Sequence, residues 1–92
     1  MAKKNEPAIA PDQLERMLKR YAATIAAHFA CMGETHGDRE LELARNMIEA
    51  ATMNLKERDQ ASAQHLTGFV QGVLLCKGLV SWEYLAEDDR RI

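Results

Sequence analysis

One group of histidines and cysteines in this sequence has the side chains of a metal site. His28 and Cys31 are three residues apart, His36 follows shortly afterwards, and Cys76 or His65 would have to complete the set. Imidazole and thiolate are zinc ligands, and structural zinc sites use four of them. The spacing matches no zinc motif, because there is no C-x-x-C and no H-x-x-x-H pair. We therefore predict no metal and no other cofactor, with Cys31 and Cys76 as unpaired, buried thiols.

Cys31 with His36 also has the residue types of a nucleophile and its general base. Such a pair requires a stabilised thiolate. Cys31 is predicted at a helix C-terminus, where the helix dipole disfavours an anion. Four carboxylates near the next helix start are better suited to capping and solvation than to paired acid–base catalysis; they are Glu34, Asp38, Glu40 and Glu42. We predict that the protein is not an enzyme.

The composition bounds the remaining classes of protein. Ninety-two residues make one domain, and a net charge of −2 with 28% charged residues gives no strong field of either sign. No apolar run approaches the length of a membrane span, and the N-terminus lacks the apolar core of a secretory signal. Two cysteines are too few for a disulfide scaffold and fit a reducing compartment. The predicted location is the cytoplasm.

Residues 1–11 contain both prolines and are predicted to form a flexible tail, with residues 12–92 as a single helical domain. The first helix begins at Pro11-Asp12, where an acid is favourable. Apolar residues then recur at helical steps: Leu14, Met17, Leu18, Tyr21, Ile25, Phe29 and Met32. Gly33 is the predicted stop.

The second helix is predicted to start at Asp38 or slightly earlier, with Thr35 and Asp38 forming a capping box. Its apolar stripe consists of Leu41, Ala44, Ile48, Ala51 and Leu55. One long helix remains possible, since no glycine or proline follows until Gly68. We favour a break at residues 58–60, because no large apolar residue lies between Leu55 and Leu66, and Asp59 could cap a new helix.

The third helix is predicted to run to Lys77 and to end at Gly78. It places Gly68, Gly72 and Cys76 in one i, i+4 row. Large apolar side chains cover most of the circumference of this helix: Leu66, Phe69, Val70, Val73, Leu74 and Leu75. A glycine inside a helix costs about 1 kcal/mol relative to alanine, so two of them indicate that another backbone packs close to this face.

A helix that is apolar nearly all round must be buried nearly all round, and one short chain can hardly surround it. We therefore predict a homodimer or a larger closed assembly, because a twofold interface uses the same patch on both subunits. The predicted interface consists of Gly68, Phe69, Gly72, Val73 and Cys76. The alternative is a monomer in which the first helix crosses the glycine row.

A short fourth helix is predicted after Ser81, its N-cap, with Val80 and Leu85 as a hydrophobic staple. Four side chains are expected to dock it on the domain: Leu79, Val80, Trp82 and Leu85. Trp82 and Tyr84 are anchor types at interfaces and are candidates for binding a partner.

The first helix presents Arg16, Lys19 and Arg20 on one face, a second candidate surface for a partner. The corner between the third and fourth helices resembles a helix-turn-helix, but its second helix is acidic and repels phosphates. Nucleic acid is therefore not the expected partner. A nucleic-acid-binding regulator remains one alternative class, and a ligand or enzymatic site formed between subunits remains another.

The run from His65 to Leu74, followed by Gly78-Leu79-Val80-Ser81, resembles the C-terminal part of small helical proteins encoded by bacteriophages. This resemblance implies an accessory protein that binds a host protein. The sequence as a whole predicts an all-α bundle of three main helices plus a short C-terminal helix, completed by oligomerisation. The predicted function is a non-enzymatic protein–protein interaction module.

Overall fold

The computed structural model of this protein describes residues 9–32 and 38–90. Over these residues the chain forms four α-helices and no strand. The helices are α1 (Pro11–Met32), α2 (Arg39–Lys56), α3 (Gln60–Cys76) and α4 (Trp82–Arg90). The predicted all-α bundle of three main helices and a short C-terminal helix is confirmed.

α1 packs through its predicted stripe. Six of the seven apolar residues are buried: Leu14, Met17, Leu18, Tyr21, Ile25 and Phe29. Met32, the seventh, is exposed in the last turn, and Gly33 lies outside the described residues. Tyr21 satisfies its polar end within the domain, because its hydroxyl accepts a hydrogen bond from the Gln71 side-chain amide at 2.9 Å.

α2 begins at a cap that differs from the predicted one. The Asp38 carboxylate accepts a hydrogen bond from the Leu41 backbone N–H at 3.1 Å, so Asp38 is itself the N-cap. The predicted capping box, with Thr35 as the N-cap and Asp38 at position N3, is therefore wrong for Asp38. Thr35 lies outside the described part of the chain. A side-chain carboxylate at this position satisfies one of the free N–H groups of the first turn.

The predicted break between α2 and α3 is confirmed. α2 ends at Lys56, and Arg58 adopts a left-handed backbone with φ of 64°. Asp59 then caps α3, accepting a hydrogen bond from the Ser62 N–H at 3.2 Å. This tight turn folds α3 back along α2.

α3 ends in a Schellman motif. Gly78 has φ of +75°, its N–H donates to the Leu75 carbonyl, and the Leu79 N–H donates to the Leu74 carbonyl at 2.9 Å. Glycine adopts this left-handed conformation without steric cost. The end of α3 therefore agrees with the sequence prediction.

The buried positions of α3 form one stripe against α1 and α2. These residues are Ala63, Thr67, Val70 and Leu74. Thr67 is the polar member, and its hydroxyl donates to the Ala63 carbonyl at 2.7 Å. Leu66, Val73 and Leu75 are partly buried beside this stripe, and the outer side of α3 is exposed in the single chain. Burial of that side by a second copy stays a prediction.

The packed domain extends further towards the N-terminus than predicted. Ile9, assigned to the tail, is buried. Its N–H donates to the Gln64 side-chain oxygen at 3.3 Å, and its carbonyl accepts from the Gln60 amide. An apolar side chain in the core and two backbone hydrogen bonds place Ile9 in the domain, and residues 1–8 lie outside the described part.

α4 is capped and docked in part as predicted. The Ser81 hydroxyl accepts from the Tyr84 N–H at 3.1 Å, Leu85 is buried, and Leu79 and Val80 pack against the core. Trp82, however, is 72% exposed, so its predicted docking is wrong. α4 has nine residues, and it packs on the core through the buried side chain of Leu85.

Replacing Arg58 with glycine should stabilise the protein. A left-handed backbone costs a non-glycine residue about 1–2 kcal/mol, partly offset by the extra freedom of glycine in the unfolded chain. We expect Arg58→Gly to raise the free energy of unfolding by up to about 1 kcal/mol in urea titrations. The control is Glu57→Gly, at the preceding residue with φ of −91°, which should lower the free energy of unfolding. Equal losses in both variants would contradict this account of the turn.

Trp82 is the sole tryptophan of the chain, so its fluorescence reports α4 directly. The native protein should emit as an indole in water does, with little shift on unfolding. Trp82→Ala should change the free energy of unfolding by about 0.5 kcal/mol or less, whereas Leu85→Ala should cost about 2–5 kcal/mol. Blue-shifted native emission would show instead that Trp82 is covered.

Candidate functional site

An open groove of about 1140 Å³ runs along the outer side of α3. Five successive pairs of residues line it at steps of four, from Gln60-Ala61 to Cys76-Lys77, and Glu40 of α2 closes one end. The central part is the predicted oligomer interface. We call this surface, formed by Gly68, Phe69, Gly72, Val73 and Cys76, the glycine face.

The two glycines of this surface have no neighbour among the described residues. A Cβ atom placed on Gly68 or on Gly72 would meet nothing within 4 Å. The alternative in which α1 crosses the glycine row is therefore wrong, because α1 and α2 pack against the opposite side of α3. The glycine face points away from the core of the chain.

Large side chains stand beside the glycines. Phe69 is 53% exposed and meets His65 edge to face, with 5.4 Å between ring centroids, and Val73 is half-buried. The face thus combines an exposed aromatic ring with open backbone. One surface therefore carries both a protruding side chain, Phe69, and a gap above the glycines that such a side chain would fill.

Both thiols are exposed and unpaired, which corrects the prediction that they are buried. Cys76 belongs to the glycine row and shares its outward direction. Cys31 lies beyond Phe29, the last residue of α1 whose side chain reaches the core. Apolar character predicts burial only for those side chains that lie on the inward stripes of the helices.

An ion-pair cluster defines the Lys77 end of the groove. The Lys77 Nζ lies 3.1 Å from Asp38 Oδ2 and 3.1 Å from Glu40 Oε1. The hydrogen bonds to Asp38 and then Glu40 raise the pKa of Lys77 above its ordinary 10.5. For Asp38, desolvation raises the pKa, but the Leu41 N–H and the Lys77 ammonium together outweigh it and hold the pKa below 3.8.

The other end of the groove is polar and uncharged. Gln60 and Gln64 both line it, and both are held by their hydrogen bonds to the Ile9 backbone. The glycine face therefore lies between fixed polar groups at its two ends. An apolar centre with a polar rim is typical of protein interfaces.

The two predicted partner surfaces meet in part. The Arg20 guanidinium lies 5.2 Å from the centroid of the Tyr84 ring, which joins α1 to α4. The other two cations of the α1 face are engaged locally, Arg16 with Gln13 at 2.9 Å and Lys19 with Glu15 at 3.7 Å. Trp82 is not part of this contact and remains open to solvent.

The chemistry considered for His28, Cys31 and His36 gains no geometric support. Across residues 9–32 and 38–90, no three His, Cys, Asp or Glu side chains come together as metal ligands would. His36, needed for both the metal and the nucleophile readings, lies outside these ranges. No helix among those described combines the length and the hydropathy needed to cross a membrane.

Comparison with models of protein families, with curated proteins and with solved structures found no match.

Two features of the groove escaped the sequence prediction. One is the contact of Lys77 with Asp38 and Glu40, and the other is the contact of Ile9 with Gln60 and Gln64. The first had a signal, because an antiparallel hairpin brings the C-terminus of α3 beside the N-terminus of α2, where the charges are opposite. For the second, the sequence offered only one large apolar residue, Ile9, between Pro7 and Pro11.

The ion-pair cluster should shape the pH dependence of folding. Because the pKa of Asp38 is lowered in the folded protein, Asp38 stabilises the fold above its ordinary pKa of 3.8. This stabilisation is lost as the pH falls through the pKa of the folded state. Because the pKa of Lys77 is raised in the folded protein, Lys77 stabilises the fold below its ordinary pKa of 10.5. This stabilisation is lost as the pH rises through the pKa of the folded state.

We expect Lys77→Met to flatten both limbs of a plot of unfolding free energy against pH. The control Lys19→Met removes an exposed i, i+4 pair and should leave the curve nearly unchanged. Chemical denaturation followed by circular dichroism between acid and alkaline pH gives the two curves. Parallel curves for Lys77→Met and the native protein would show that the cluster does not affect folding.

Proposed function

We propose that this protein is a small, non-enzymatic protein–protein interaction module and that it assembles with itself through the glycine face. The observation that carries the proposal is the groove on α3, where an exposed phenylalanine adjoins two helical glycines that no described residue covers. Burying one large apolar side chain contributes about 1.5–3 kcal/mol. Association would cover a surface that is unfavourable in water.

A second partner is assigned to the α4 side of the molecule. Trp82 is open to solvent, and tryptophan is among the residues that most often dominate binding energy at interfaces. The Arg20–Tyr84 cation–π contact links α1 to α4 beside it. Following the resemblance of residues 65–81, this partner is proposed to be a host protein bound by a bacteriophage accessory protein.

The alternative of nucleic-acid binding has less support. Affinity for a polyanion grows with the number of cations that contact phosphate. Arg16, Lys19 and Arg20 each have a contact within the chain, and the net charge is negative. The exposed, unpaired thiols fit a reducing environment, so the cytoplasm is the proposed location.

Gly72→Leu tests the role of the glycine face. The Cβ atom of a leucine there would meet no described atom within 4 Å, and replacing a helical glycine gains up to about 1 kcal/mol of helix propensity. The folded single chain should therefore be at least as stable as before. Self-association should fall, because the leucine fills the hole that the second copy needs.

Sedimentation velocity over a range of micromolar concentrations measures the association. The native protein should approach at least twice the chain mass of 10.4 kDa, and Gly72→Leu should remain near it. The matched control is Ala50→Leu, an exposed position on α2, which should associate as the native protein does. A native protein that stays monomeric at high concentration overturns the proposed self-assembly.

A further inference from the structure

We propose that two copies pack α3 against α3 in antiparallel orientation about a twofold axis, so that Phe69 of each copy inserts over the partner's Gly72. The inference rests on the proposed self-assembly through the glycine face and specifies its register. The occupant of the groove is therefore a second copy of this chain.

The glycine face is complementary to itself in this register. In a twofold interface, if residue i contacts residue j of the other copy, then j also contacts i. With the axis at the level midway between Val70 and Gln71, Phe69 meets the partner's Gly72, and Val73 meets the partner's Gly68. Each large side chain thus faces an open stretch of backbone. His65 and the partner's Cys76 lie opposite each other at the ends of this contact.

Charge favours the antiparallel orientation over the parallel one. Lys77 and Glu40 both lie at the same end of the groove. In a parallel pairing, Lys77 and Glu40 would each lie level with the same residue of the partner. Phe69 would then face the partner's Phe69, and the open space above the glycines would stay empty. Antiparallel pairing puts Lys77 at the level of the partner's Gln64, which is polar and uncharged, and it also opposes the two helix dipoles.

The rows of the groove also set the crossing angle. Gly68, Gly72 and Cys76 form one i, i+4 row, and His65, Phe69 and Val73 form the next. Interdigitation of such rows from two helices gives a crossing of about −50°. At that angle the helices touch only around their closest approach, which coincides with the glycine face, and Gln60 and Lys77 fall on the polar rim.

Disulfide trapping tests the register in the full-length chain, with Cys31→Ser removing the unrelated thiol. His65→Cys places a thiol opposite the partner's Cys76, and two cysteines can be bridged when their Cα atoms are about 4.4–6.8 Å apart. The bridge cannot form within one chain, since eleven residues of helix separate the two positions by about 16 Å. The control is Ala61→Cys, an exposed position one turn away on the same groove.

On mild oxidation, His65→Cys should yield covalent dimer at least about tenfold faster than Ala61→Cys, because apposed groups have effective concentrations of about millimolar. The added substitution Cys76→Ser should abolish this dimer. Circular dichroism and sedimentation of each reduced variant confirm that folding and association are intact.

The alternative results are distinguishable. Equal trapping rates in a protein that sediments as a dimer overturn the register but leave the proposed self-assembly standing. Rapid trapping of the Cys31→Ser parent through its own Cys76 shows a parallel pairing and likewise overturns the register. A reduced parent that remains monomeric at every concentration overturns both the register and the proposed function.

Discussion

α3 can turn only one side towards its own chain, and this constraint governs the rest of the structure. Its inward stripe is built from small and medium side chains, Ala63, Thr67, Val70 and Leu74, which lets α1 and α2 approach it together. Everything that lies about half a turn away from that stripe is then left outside. The buried core, the open groove and the exposed Cys76 are three consequences of this one arrangement.

The hairpin of α2 and α3 fixes the ends of the groove. Arg58 and Asp59 reverse the chain in a tight turn, and at the far end Lys77 binds Asp38 and Glu40. A surface held at both ends by local structure is preorganised, and little conformational freedom remains to be lost when it binds. The side chains of Gln60 and Gln64, held by Ile9, have the same effect on the opposite rim.

Helix positions followed from the sequence because local signals determine them. A 3.6-residue period, Asp59 as a cap and Gly78 as a stop each act over a few residues, and α1, the break and the end of α3 agree with them. The direction in which a side chain points depends on the partner helices. At 3.6 residues per turn, Gly68 and Gly72 each lie about 200° from Val70, so once Val70 is known to be buried the glycines must face outward.

Three of the incorrect predictions share one cause. The apolar character of Cys31, Cys76 and Trp82 predicts burial, whereas their exposure follows from their positions on the helices. Trp82 opens a helix that is held by Leu85, and the two thiols lie beyond or opposite the buried stripes. In a chain this small the buried volume is limited, so an apolar residue off the inward stripes stays at the surface.

The helical glycines have a cost that nothing in the described chain offsets. Gly68 and Gly72 lie within α3, and neither needs a left-handed backbone, since Gly78 is the sole described glycine with positive φ. Neither is needed to avoid a clash, because a Cβ on either meets no described atom. Relative to alanine the pair costs about 2 kcal/mol, a large part of the roughly 5–15 kcal/mol that stabilises a typical domain. The physical advantage of a bare helix surface is the close approach of another backbone, and such an approach to this side of α3 has to come from outside the described part of the chain. The exposed ring of Phe69 beside the glycines is a side chain of the kind that could fill such a gap. A second copy of the same surface brings both the ring and the gap.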